Sequence, residues 1–75
     1  MHKLRIQLVT SKDAAEFVNL ANEIEDNVYL VDGTGYTADA KSLMGVMYGK
    51  FEFKELWVIS DSDKVSTKIL KFIYK

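Results

Sequence analysis

Ala40-Lys41-Ser42-Leu43-Met44-Gly45-Val46-Met47 is the stretch on which the reading of this 75-residue chain turns. Serine is a good N-cap, because its hydroxyl accepts a hydrogen bond from one of the free N–H groups in the first turn of a helix. After Ser42, Leu43, Met44, Val46 and Met47 fall at spacings that give one or two turns an apolar face. The spacing predicts a short helix over 42–47. Apolar residues at helical spacing usually serve packing, so a helix laid on a sheet is the plainest account of it.

Working outward, Val28-Tyr29-Leu30-Val31 is short, apolar and β-branched, which reads as a strand. Asp32-Gly33-Thr34-Gly35 supplies residues that tolerate a tight turn with positive φ, and Tyr36-Thr37-Ala38-Asp39 returns as a second strand of a hairpin. Further upstream, Ala14, Phe17, Val18, Ala21 and Ile24 recur at three and four, predicting an amphipathic helix from Ser11 to about Glu25. From Lys3 to Val9, Leu4, Ile6 and Leu8 alternate with Lys3, Arg5 and Gln7, the pattern of a half-buried strand. Downstream, 48–54 reads as a connection whose two phenylalanines, Phe51 and Phe53, either extend the helix or pack a loop. Leu56-Trp57-Val58-Ile59 is another strand, followed by Ser60-Asp61-Ser62-Asp63 as a turn and N-cap. A closing helix from Lys64 places Val65, Ile69, Leu70, Phe72 and Ile73 inward and Lys64, Lys68 and Lys71 outward. The order is β-α-β-β-α-β-α, an α+β layout with helices on one face of a four-stranded antiparallel sheet.

Composition narrows the chemistry. Seventy-five residues are expected to form one domain with a small core. The formal net charge is −1, and ten Lys and Arg are scattered along the chain, so nucleic acid is not expected as a partner. No cysteine is present and the single histidine is His2, which leaves neither a disulfide framework nor a Cys or His metal cluster. No apolar run approaches the roughly 20 residues that span a bilayer, and no leader pattern opens the chain; a cytoplasmic protein without membrane contacts is expected. No cofactor is expected, and no nucleophile stands beside a base, so the chain is not expected to be an enzyme.

Ala40 to Met47 resembles the second-helix segment of HPr, the histidine-containing phosphocarrier of the bacterial sugar phosphotransferase system. Ala14-Ala15-Glu16-Phe17-Val18-Asn19-Leu20-Ala21 resembles the first helix of the same family, at about the family's separation. With the element order, the resemblance covers nearly the whole chain. It implies an HPr-like open-faced β-sandwich, βαββαβα, as one domain over 1–75.

In the family, a histidine followed by Ala, Arg and Pro opens the first helix and carries the phosphoryl group. Laid on that block, this chain has Thr10 for the histidine, Ser11 for the alanine, Lys12 for the arginine and Asp13 for the proline. Reversible transfer needs a nitrogen nucleophile that forms a high-energy phosphoramidate, whereas a threonine phosphoester is too stable to hand on. Thr10-x-x-Asp13 has capping-box spacing instead. The expectation is a degenerate site at Thr10, Lys12 and Asp13, as in catabolite-repression HPr, which also lacks the histidine. His2 is expected at the surface, on the polar face of its strand and without a partner.

The second helix keeps the family's pattern. The resemblance implies that Ser42 occupies the position of a serine phosphorylated by a bifunctional kinase, and that Leu43, Met44 and Met47 form a docking patch for protein partners, such as transferase-system components or a transcriptional regulator. The expected function is a regulatory or protein-interaction domain. The alternatives are a working phosphocarrier, with His2 or another acceptor, and a structural paralogue or oligomer whose patch is covered by a second copy.

Overall fold

Short runs of apolar and β-branched residues make strands where a sheet can bury one face. The computed structural model, which describes residues 1–74, joins four such runs. In chain order the elements are β1 (His2–Ile6), α1 (Ser11–Asn22), β2 (Val28–Val31), β3 (Thr37–Asp39), α2 (Leu43–Glu52), β4 (Leu56–Ser60) and α3 (Val65–Lys68), followed by a 3-10 turn over Leu70–Phe72. The sheet order is β1-β4-β2-β3, antiparallel throughout. The three helices and this sheet form the expected α+β open-faced sandwich.

Register decides which face is buried. Ile6 pairs with Leu56, Leu4 and Leu30 flank Val58 on either side, and Val28 pairs with Ser60, so these side chains share the face under the helices. They meet Ala14, Phe17, Val18 and Ala21 of α1, Val46 of α2 and Val65, Ile69 and Phe72 of the closing segment in one core. The Phe17 and Phe72 rings meet edge-on, with centroids 6.0 Å apart.

The structure departs from the spacing in four places. First, β1 stops at Ile6 rather than Val9, because the chain lifts away to open α1; Leu8 is nonetheless buried. Second, α1 ends at Asn22, three residues early, with Ile24 still in the core. Third, α2 runs on to Glu52 instead of ending at Met47, so 48–52 is helix and Phe53 its C-cap. Val46 and Gly49 are buried beneath it, and this packing outweighs the poor helix propensity of two glycines. Fourth, the closing helix breaks at Ile69, whose φ of −107° and ψ of 20° leave the helical range. That rotation exposes Leu70, expected inside, and keeps Ile69 and Phe72 in the core. The chain then lies along the edge of β1: Gln7 N–H donates to the Phe72 carbonyl at 2.8 Å and Tyr74 N–H to the Arg5 carbonyl at 2.8 Å. Part of an otherwise open strand edge is thereby paired.

Candidate functional site

The entrance to α1 is built by side chains meeting backbone. Thr10 is the N-cap, in extended conformation, and its Oγ1 accepts from the Asp13 N–H at 3.0 Å. The Asp13 carboxylate turns back to accept from the Thr10 N–H at 3.2 Å and the Val9 N–H at 3.0 Å. This is the expected capping box, with one further donor, Val9, added. The Val9 N–H first, and the Thr10 N–H next, hold the Asp13 carboxyl below its usual 3.8. Two donors of this helix start are therefore engaged, the Thr10 N–H by the Asp13 carboxylate and the Asp13 N–H by the Thr10 hydroxyl. Ser11 and Lys12 are exposed in the first turn.

His2 lies at the other end of β1. It is not on the polar face and not unpartnered. It shares a face of β1 with Leu4 and Ile6, it is half-buried, and its Nε2 stands 3.0 Å from Asp63 Oδ1 in the β4–α3 turn. The sequence hides this contact because the two residues are 61 positions apart.

Helix α2 presents the second candidate surface. Ser42 is its N-cap and accepts from the Gly45 N–H at 3.4 Å. The chain just ahead is tied down by Asn22 Nδ2, which donates to the Lys41 carbonyl at 3.2 Å from the end of α1. Thr10 and Ser42 are consequently not brought together: they lie towards opposite ends of α1, whose 12 residues span about 18 Å. Tyr36 fastens α2 to the hairpin, its hydroxyl donating to the Gly45 carbonyl at 2.6 Å. Its ring packs between Tyr48 and Phe53, at 5.4 and 5.1 Å between centroids. Burial pushes the Tyr36 hydroxyl pKa up.

Met44 is 84% exposed and Leu43 49%. Met47 is half-buried and packs on the core, so it contributes to the helix's seat more than to its outer face. The outer face continues instead through Tyr48, 54% exposed, and Phe51, 66% exposed. Met44, Tyr48 and Phe51 fall at i, i+4 and i+7, one stripe on a helix. That spacing is present in the sequence; it goes unread when the helix is ended at Met47. Single exposed apolar residues are ordinary; here three of them line one face of the helix.

Among the described residues, no group of three His, Cys, Asp or Glu side chains is placed to hold a metal ion. No helix of the described residues is long and apolar enough to cross a membrane.

A family model described as "PTS HPr component phosphorylation site" matches residues 9–68. Among solved structures, the chain is similar to HPr-C-His from Thermoanaerobacter tengcongensis, with a TM-score of 0.76 at 20% identity over 97% of this chain and 91% of that one. It is also similar to a phosphocarrier protein HPr from Bacillus anthracis str. Ames, with a TM-score of 0.72 at 18% identity over 97% of this chain and 96% of that one. At such identities the structural likeness establishes the fold alone. No curated protein matches the sequence. Because the family model runs from the entrance of α1 through the last residue of α3, the chain belongs to the HPr phosphocarrier family of the phosphotransferase system.

Proposed function

We propose that this HPr-like domain has lost phosphoryl relay and acts as a regulatory or protein-interaction module through α2. The observation that carries the first half is the capping box at α1. Thr10 stands where the family's histidine is expected, its hydroxyl engaged by the Asp13 N–H, with Lys12 and Asp13 in place of the arginine and proline. A phosphoryl group at a helix start is stabilised by free N–H groups and the positive end of the dipole. Here the Asp13 carboxylate, held by the Val9 and Thr10 N–H groups, sets a negative charge in the first turn that repels an incoming dianion. The only imidazole, His2, is at the far end of β1 and faces Asp63.

The exposed stripe supports the second half. Leu43, Met44, Tyr48 and Phe51 offer an apolar surface, and methionine adapts to differing partners because its side chain is flexible and polarizable. Ser42 is exposed at the start of a ten-residue helix. Phosphorylation there would add about −1.5 to −2 charge beside that surface, on the favourable end of the dipole. Partners are protein components of the transferase system or a regulator that reads the same surface; the setting is the bacterial cytoplasm.

Capture from a bacterial cytoplasmic extract tests the α2 surface. The unmodified chain retains a phosphotransferase-system component or a regulator, and Met44→Asp loses it with the fold intact by circular dichroism. Equal retention by both proteins would remove α2 from the reading.

A further inference from the structure

The sheet has a second face, turned away from the helices, and its composition is not that of a solvated surface. Register places two rows across it. One runs Lys3, Ile59, Tyr29, Asp39 and the other Arg5, Trp57, Val31, Thr37. Tyr29 is 42% exposed, and Ile59, Trp57 and Val31 are each half-buried with no helix above them. The centre of the face is therefore apolar across both inner strands. Its charges lie at the strand edges: Lys3 on β1 and Asp39 on β3 at the ends of the first row, and Arg5 on β1 at one end of the second, where its guanidinium stacks 4.0 Å from the Tyr74 ring centroid.

We propose that the chain self-associates through this face as a two-fold dimer. An axis parallel to the strands, between β4 and β2, exchanges left and right within each row. Lys3 then faces the partner's Asp39, Ile59 faces the partner's Tyr29, and the same contacts repeat in reverse. In the second row Trp57 meets the partner's Val31, and Arg5 meets the partner's Thr37. Such an isologous contact is what a two-fold requires of a surface: one patch that complements itself. Apolar pairs occupy the centre, and opposite charges close both ends of the first row, while Arg5 in the second row meets an uncharged threonine. Two twisted sheets packed this way cross at about 30° and lie about 10 Å apart, a separation that long lysine and tyrosine side chains span. In the single chain the Lys3 Nζ lies 5.0 Å above the Trp57 ring on this same face, a contact that the lysine leaves when it reaches the partner's Asp39.

Size sets the strength. Four strands about 4.8 Å apart, of three to five residues at about 3.3 Å each, make a face of roughly 300 Å² in projection, short of the about 800 Å² that each partner gives to a standard interface. A face of this size fits a weak, transient contact. Because α2 lies in the opposite layer, dimerisation leaves the helix surface open.

Sedimentation equilibrium on the whole chain, from about 20 μM to about 2 mM, tests the proposal by mass action. The weight-average mass is expected to rise from 8.6 kDa towards twice that value. Lys3→Asp is expected to weaken association by about tenfold or more by setting like charges face to face, and adding Asp39→Lys to it to restore association. Circular dichroism checks that each variant is folded. Asp39 also accepts from the Lys41 N–H at 2.8 Å, so Asp39→Asn, which keeps that acceptor, provides a second variant expected to weaken the dimer. Emission from the single tryptophan, Trp57, is expected to move to the blue as the unmodified chain is concentrated. A mass of 8.6 kDa at every concentration would overturn the proposal. So would a dimer that survives Lys3→Asp and is dispersed by Met44→Asp, which would place the interface on α2.

Discussion

Two aspartates show how much a single carboxylate organises here. Asp32 follows β2 and is buried at the hairpin turn. Its side chain accepts from the Thr34 hydroxyl and from the N–H groups of Thr34, Gly35 and Tyr36 at 2.9, 3.1 and 2.9 Å. These bonds, the Thr34 hydroxyl foremost, lower its pKa from 3.8 to about 2. Because the folded value is the depressed one, its stabilisation is complete above the unfolded value and disappears as pH falls from about 4 to about 2. Asp13, shifted in the same direction, adds to this loss. Urea unfolding between pH 2 and 6 is expected to show stability falling through that window, with Asp32→Asn flattening the fall. At α1, Thr10→Ala removes the acceptor for the Asp13 N–H and is expected to cost about 0.5–2 kcal/mol in the same measurement. This capping box was legible from Thr-x-x-Asp spacing, since it joins neighbours in the chain. The contact of His2 with Asp63 was not, since nothing local announces it.

At the scale of elements, the strands and α1 could be read because each carries its own period, two or about 3.6, over enough residues to be recognised. The extent of α2 could not. Gly45 and Gly49 weaken a helix considered alone, and only the sheet beneath explains them. A Cβ at Gly45 would stand 3.0 Å from Ala38 Cβ; at Gly49 it would stand 3.1 Å from Leu30 Cδ2 and 3.3 Å from the Tyr36 ring. The glycines let α2 approach the hairpin closely. Gly49→Ala improves helix propensity by up to about 1 kcal/mol, yet the overpacking it causes costs about 1–3 kcal/mol. Net destabilisation is expected in thermal unfolding; an increase in Tm would show that the helix shifts freely. The same tertiary effect hid the exposed apolar stripe: with α2 read only to Met47, Tyr48 and Phe51 belonged to a connection, and half-buried Met47 stood in their place. The break at Ile69 and the exposure of Leu70 likewise follow from pairing between the tail and β1, a long-range contact that no helical period contains.

For the whole molecule, the proposed loss of relay separates fold from transfer chemistry. The core, the sheet order and α2 need only apolar pattern and register, and the chain retains these along with membership of the HPr family. Relay needs one nitrogen nucleophile at one helix start, and there the chain has a hydroxyl held within a capping box. The two surfaces proposed for contacts, the α2 stripe and the open sheet face, belong to opposite layers. The most direct test of the proposed loss of relay is incubation with the phosphotransferase system's first enzyme and isotopically labelled phosphoenolpyruvate, beside an HPr that carries the histidine. The predicted result is acid-labile label on the control and none on this chain. Acid-labile label on this chain, transferable to a downstream acceptor, would contradict the account.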